Sequence, residues 1–307
     1  MREEWLEYLE PAQRQIAAFA NAVANSGQKV RLIVRDDINY VRARELISEE
    51  VSIEKRRYGD IWLRDTGPLI LRNGRALCHK FNGWGGKYPM DGDNDIGQEL
   101  ASDVGLEIIN KSWILEGGAI DSDGTGTVLT TEQCLLNPNR NPNLTKEKIE
   151  KNLAQDFGFK NVVWLGKGLE NDHTDGHVDN LVRFVSTGQV VLPVPTTKDD
   201  PNIEIYADAK RRLRAVGLEI HEIPSPGLVE RNGKIEPASY VNFAITTYLV
   251  VVPTFGKPTD AEGVEAIAAL FPDRKTIGLP ADAVLAGGGG FHCASQQMPL
   301  LNFGQSS

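Results

Sequence analysis

Cysteine is scarce in this chain: three in 307 residues, odd in number and widely spaced. That excludes a disulfide framework and makes a reducing cytoplasm the expected compartment. No apolar run approaches the length of a membrane-spanning helix. The N-terminus, Met1-Arg2-Glu3-Glu4-Trp5, lacks a signal-peptide pattern, so no membrane partner is expected. Positive charge is in deficit, with a formal net charge of -9. This argues against nucleic acid as a partner and is compatible with a small cationic ligand. No Pro/Ser-rich linker, charge run or low-complexity segment divides the chain, so a single domain over residues 1–307 is expected.

What is present is a recurring order of elements. Residues 6–26 read as a helix, with Pro11 in its first turn, an apolar face of Ile16, Phe19, Ala20 and Val23, and Gly27 as its end. A strand at Val30–Val34, a helix at Asp37–Ile47 and a strand from Val51 follow. A hairpin then joins Leu69–Arg72 to Arg75–Phe81 through Asn73-Gly74, a pair suited to positive φ at both turn positions. The order returns with a helix at Asp95–Val104, a strand at Glu107–Asn110 and a hairpin over Gly118–Leu129, turning at Asp123-Gly124. A third round has a helix opened by Thr145 and closed by Gly158, the strand Val162–Leu165, and a hairpin that carries His177 and turns near Gly188. A fourth runs through Asn202–Val216, Leu218–Ile223 and Tyr240–Val252. A fifth has Ala261–Phe271, Lys275–Leu279 and the tail Gly287–Pro299. A helix and three short strands every roughly 55–60 residues is the pattern of a radially repeated α/β fold.

The densest chemistry lies in His173-Thr174-Asp175-Gly176-His177-Val178-Asp179-Asn180. The alternating run after it reads as a strand, which would put Asp175, His177 and Asp179 on one face, about 7 Å between neighbours. An imidazole flanked by carboxylates suits proton transfer or a grip on a cation. The plainer alternative is a polar strand end with satisfied histidines. His173 and His177 have the i, i+4 spacing of helical zinc ligands. In a strand, though, they would stand about 13 Å apart, and no Cys-x-x-Cys pair exists, so no metal is expected.

The nucleophile must come from elsewhere. Cys78 and Cys134 read as small buried hydrophobes. Cys293 follows Gly287-Gly288-Gly289-Gly290-Phe291-His292, and consecutive glycines make sense where backbone bends sharply or approaches a ligand closely. A flexible tail is the competing reading. With His177, Cys293 permits a Cys-His acyl transferase or an amidine-processing enzyme. Asp65, Glu116 and Asp179, each beside aromatic or glycine residues, favour the second, because a planar guanidinium matches carboxylate oxygens.

Six segments then carry a resemblance: Trp62-Leu63-Arg64-Asp65-Thr66-Gly67-Pro68, Phe81 to Tyr88, Glu116-Gly117-Gly118, Leu135 to Pro142, Thr174 to Asn180 and Gly287 to Pro299. Together they resemble the agmatine deiminase family, of the guanidine-modifying superfamily that also holds peptidylarginine deiminases. The resemblance implies a pseudo-fivefold α/β propeller (a pentein). It also implies cofactor-free hydrolysis of agmatine to N-carbamoylputrescine and ammonia, in polyamine biosynthesis. It makes Cys293 the nucleophile, His177 the general acid/base, Asp65 and Asp179 the guanidinium clamp, and Glu116 a further acidic site residue. Trp62, Trp84, His173 and Asp175 complete the expected substrate-binding set. A symmetric homodimer is a common arrangement for a domain of this size. Two departures stand out. His173 occupies a place that is usually acidic in the family, which leaves room for arginine or another guanidine with a non-amine tail. The first repeat looks short at its N-terminal end. A propeller serving only as a binding platform is the non-enzyme alternative.

Overall fold

The computed structural model describes residues 5–298. Pro299, the end of the expected tail, lies outside them. Helix α1 (Leu9–Asn25) comes first, burying Ala12, Ala17, Phe19, Ala20, Val23 and Ala24. Strand β1 (Val30–Val34) then runs parallel to β2 (Val51–Lys55), with α2 (Asp37–Leu46) crossing between them. The next unit adds a hairpin: β3 (Leu69–Ile70) pairs antiparallel with β4 (Arg75–Lys80), α3 (Ile96–Asp103) crosses, and β5 (Glu107–Ile114) returns parallel to β4.

The same wiring repeats in β6 (Asp121–Ser122), β7 (Thr127–Thr131), α4 (Lys146–Phe157) and β8 (Asn161–Leu165). It repeats again in β9 (Arg183–Ser186), β10 (Gln189–Val194), α5 (Ile203–Ala215) and β11 (Glu219–Pro224). A small hairpin, β12 (Glu230–Arg231) and β13 (Lys234–Ile235), precedes the last round of β14 (Ala244–Ile245), β15 (Leu249–Thr254), α6 (Asp260–Leu270) and β16 (Lys275–Pro280). The parallel pairs require their helical crossovers. Strands such as β15, buried from Leu249 to Pro253, read as unbroken apolar runs because both faces are covered.

Local chemistry sets the boundaries. Thr145 caps α4 by accepting a hydrogen bond from the Lys148 amide, and Gly158 ends it in the left-handed region at φ 77°. The Asn73-Gly74 turn differs from expectation, since only Gly74 has positive φ, at 82°. The Asn73 side-chain oxygen accepts from the Arg75 amide at 3.3 Å, and the Gly74 amide reaches the Leu71 carbonyl at 3.0 Å. A turn closed by one left-handed glycine results.

A larger correction falls on the stretch around His177. It is not a strand: Asp175 and Gly176 have φ of 62° and 86°, and Val178–Asn180 is a turn of 3-10 helix. Alternation in a short polar run does not fix a strand where turn-forming residues offer local hydrogen bonds. Here Asp172 Oδ1 accepts from the Thr174 amide at 2.8 Å, and Thr174 Oγ1 accepts from the His177 amide at 3.0 Å.

In every unit the connection that follows the parallel strand carries chemistry. Trp62 and Asp65 follow β2, Glu116 follows β5, His177 and Asp179 follow β8, Asn242 follows β11, and Cys293 follows β16. The largest apolar cluster joins α1 to β15 and to the turn holding Cys293, with Phe19 stacked on Phe291 at 4.8 Å between ring centres. Among the described residues no helix is long and apolar enough to cross a membrane.

Candidate active site

The five connections are joined in a closed circuit, in which Arg140 bridges the second and third by donating from Nε to Glu116 Oε1 at 2.8 Å and from Nη2 to the Thr174 carbonyl at 2.6 Å. The Arg64 amide donates to the Cys293 carbonyl at 3.0 Å, joining the first to the fifth. Asp65 Oδ1 accepts from the Gly118 amide at 2.9 Å, joining first and second. Glycine is required at 118, because an added Cβ would lie 2.5 Å from His177 Nδ1, 2.9 Å from Asp65 Oδ1 and 3.1 Å from Asp179 Oδ2. That one point places three sequence-predicted groups together. Asn242 Nδ2 donates to Asn180 Oδ1 at 2.8 Å, and the Asn242 carbonyl accepts from the His292 amide at 3.1 Å, closing the circuit.

The glycine run seats Cys293 by close approach. A Cβ at Gly287 would meet the Trp5 ring at 2.4 Å, at Gly288 His173 Nδ1 at 2.7 Å, at Gly289 the Trp62 ring at 2.7 Å, and at Gly290 Asn242 Oδ1 at 2.7 Å. The run is therefore a packed turn, and Cys293 itself is buried. Its Sγ is 3.1 Å from Asn242 Nδ2 and 3.4 Å from Asp179 Oδ2. Burial, with the charges of Asp179 and Asp65, holds the thiol well above its ordinary range.

The groups around it are equally perturbed. Burial raises Asp179 to about 7, with Asp65 adding and His177 opposing. His292 Nδ1 pairs with Asp179 Oδ2 at 2.7 Å. Burial and the nearby Arg183 and Arg64 cations keep the His292 ring well below its ordinary range. His177 is wholly buried, and burial alone would lower its pKa. Asp65, Cys134 and Glu116 outweigh that, so its imidazolium persists well above the usual range. Its Nδ1 lies 3.7 Å from Asp65 Oδ1, an ion-pair distance rather than a hydrogen bond. Asp65 also accepts from Trp84 Nε1 at 2.9 Å. Trp84 reaches it from a left-handed position, φ 53°, held by Asn82 Oδ1 accepting from the Gly85 amide at 2.9 Å.

Glu116 Oε1 pairs with Arg140 Nε at 2.8 Å, both side chains fully buried. Asp175 does not join this group. It is engaged outside the cavity by Lys87 Nζ at 2.7 Å, by Asn139 Nδ2 at 3.0 Å and by Arg140. The cavity above Cys293 has a volume of about 260 Å³, and Trp62, Asp65, Trp84, Tyr88 and His173 line it with the glycine turn. Trp62 stacks on Trp5 at 6.0 Å, which fixes one wall.

A thiol, an imidazolium and two carboxylates at the foot of an aromatic cavity can grip a planar cation and attack its carbon. The family model described as Porphyromonas-type peptidyl-arginine deiminase matches residues 1–299. The agmatine deiminase of Ectopseudomonas mendocina is 34% identical over an alignment of 331 residues that covers 97% of this chain and 90% of that one. The chain belongs to the agmatine deiminase family. Among solved structures, the agmatine deiminase of Enterococcus faecalis superposes with a TM-score of 0.89 at 31% identity, covering 94% of this chain and 88% of that one. A cysteine-to-serine variant of C. jejuni agmatine deiminase with substrate bound gives 0.89 at 31%, covering 95% and 88%. The mixed α/β architecture is thus the pentein fold of these agmatine deiminases.

Sequence reasoning missed Asn242, His292 and Arg140 as parts of the site. Asn242 and Arg140 act across units; Arg140 had a signal in its place within the Leu135 to Pro142 segment, and Asn242 had none. His292 had a signal, its place beside Cys293. Cys134 is buried in an apolar cluster, as expected, and its thiol also lies near Glu116 and His177.

Proposed function

We propose that the chain hydrolyses agmatine to N-carbamoylputrescine and ammonia through a covalent intermediate on Cys293. Membership of the agmatine deiminase family makes it a hydrolase of C–N bonds in guanidino compounds. The single observation that carries the residue assignment is the convergence of Cys293, Asp179, His177 and Asp65 around Gly118 and the cavity floor. The five similarly wired units and their circuit of connections support a pseudo-fivefold propeller over residues 1–307, with this convergence on its axis.

In this reading Asp65 and Asp179 hold the guanidinium, and Trp62 and Trp84 flank it. The arriving cation offsets the carboxylate charges that keep Cys293 protonated, so substrate itself favours the thiolate. Cys293 Sγ attacks the guanidinium carbon. A C–N bond breaks as His177 gives its proton to the departing nitrogen, which leaves as ammonia. The adduct is a thiouronium on Cys293. Neutral His177 then takes a proton from water, the hydroxide attacks the same carbon, and the C–S bond breaks. As the carbonyl forms, the remaining hydroxyl proton goes to solvent, N-carbamoylputrescine leaves and the thiolate returns. Glu116, fixed by Arg140, stands beside His177 and favours its charged form.

Ammonia release from agmatine, free arginine, peptidyl arginine and shorter guanidino acids tests the assignment. Agmatine is expected to lead, and release from none of them would leave only the binding-platform reading. One observation favours a second substrate class: His173, not an acid, lines the cavity beside Tyr88, with ring centres 6.5 Å apart. An imidazole there suits a neutral or anionic tail better than an ammonium.

A further inference from the structure

Behind the imidazole of His177, on the side of Glu116, lies a cluster that the deimination chemistry does not use in full. A carboxylate oxygen of Glu116, the thiol of Cys134 and a ring nitrogen of His177 all lie within 4.8 Å of one another. All three residues are wholly buried. Glu116 Oε2 has no hydrogen-bond partner among the described residues, and the nitrogens of His177 have none of ordinary geometry beyond the approach of the Cys134 thiol itself. Buried polar atoms left open in this way are rare, and they mark places where a further ligand can bond.

The scaffold around them is fixed. Thr131 Oγ1 accepts from the Cys134 amide at 3.2 Å and donates to the Gly176 carbonyl at 2.6 Å, so one hydroxyl sets both Cys134 and the residue before His177. Arg140 holds the other oxygen of Glu116. Each donor comes from a separate turn: Glu116 after β5, Cys134 in the one-turn helix Glu132–Leu135, and His177 after β8.

We propose that Glu116, Cys134 and His177 form an inhibitory site for a thiophilic divalent cation of the Zn2+ class. Thiolate, imidazole and carboxylate are the zinc donor set, and donors around tetrahedral zinc stand about 3.3–3.8 Å apart. The three groups need to close by only about 1 Å to reach that spacing. On binding, the Cys134 thiol and the His177 imidazolium each give up a proton to solvent, the ring binds through the lone pair so freed, and the fourth position is left for water. A metal on the His177 ring removes the nitrogen that carries a proton in the deimination cycle, so turnover stops while the substrate cavity stays open. The effect on turnover rests on the role proposed for His177. Metal binding does not, and it is measured without turnover.

The probes are Zn2+ and Co2+ added alone to the full chain. Cys293→Ser, which lacks the proposed nucleophile, should still bind one Zn2+ per chain in competition with a chromophoric chelator. Its Co2+ form should show a thiolate-to-metal charge-transfer band. Adding Cys134→Ser should weaken zinc binding at least tenfold and erase that band. In otherwise wild-type protein, Cys134→Ser should make ammonia release at least tenfold less sensitive to Zn2+, measured against that variant's own uninhibited rate. The Co2+ band of Cys293→Ser needs no change at position 134, so a poorly folded Cys134 variant cannot mask the result. Absence of that band, or zinc binding lost with Cys293→Ser and kept with Cys134→Ser, would overturn the proposal. If ammonia is never released without zinc, the deiminase reading fails instead.

Discussion

Burial and two carboxylates keep the Cys293 thiol protonated, so a neutral alkylating agent should label it slowly at neutral pH. A chloroacetamidine-type probe, whose cation occupies the clamp, should label it at least tenfold faster, read by mass on the Cys293 peptide. Equal rates would mean that the carboxylates do not recruit cations. Asp179 makes a prediction of opposite sign for stability and activity. Its folded pKa of about 7 lies above the unfolded value, so the fold favours its protonated form. That contribution is complete below the unfolded pKa and is lost as pH rises through about 7. Asp179→Asn should therefore raise Tm at pH 8 more than at pH 5, while costing about 3–5 kcal/mol of transition-state stabilisation in kcat/KM. Asp65→Asn should cost kcat/KM similarly, because one amide cannot replace a carboxylate that accepts from both Gly118 and Trp84. His173 decides tail preference: His173→Glu should raise kcat/KM for agmatine about tenfold per 1.4 kcal/mol of regained ion pairing and lower it for arginine. An unchanged agmatine-to-arginine ratio would remove His173 from the tail contact. The residues that the structure brings together, Cys293, His177, Asp65 and Asp179, could be singled out because thiol, imidazole and carboxylates have few other uses in this pattern. Asp175 was misjudged for want of its partners, since Lys87 and Arg140 claim it from other turns.

Elements whose signals are local were read well. Thr145 and Gly158 mark α4 to within a residue, and β1 matches its run of Val30 to Val34. The turn at 173–180 was not, because strand alternation and a polar turn look alike over eight residues. Asp175-Gly176 carried the better signal, and both residues adopt positive φ. The glycine turn yields an element-scale test. A Cβ at Gly289 would sit 2.7 Å from the Trp62 ring and 3.0 Å from Cys293 Cβ. Gly289→Ala should thus displace the thiol and lower kcat/KM by tenfold or more, with overpacking of about 1–3 kcal/mol visible in denaturant unfolding. Normal kinetics would show that the turn has slack there.

Five units of one wiring bring side chains from Asp65 to Cys293, separated by most of the chain, to a single floor. The repeat was legible as a helix and three strands recurring. The bonds that close the circuit were not, since Arg64 to Cys293 and Asn242 to Asn180 join different units. The first described sheet has two strands and the others of this wiring three, while α1 and Trp5 pack beside the last unit and Trp5 also walls the cavity. The whole arrangement serves one claim, that Cys293 forms and releases a covalent adduct with a guanidine carbon. Ammonia release from agmatine by wild-type protein and by Cys293→Ser tests that claim most directly. The wild type should yield one ammonia per N-carbamoylputrescine, and Cys293→Ser should lose at least about a thousandfold in kcat while still binding agmatine. Release by Cys293→Ser within tenfold of the wild-type rate would contradict it.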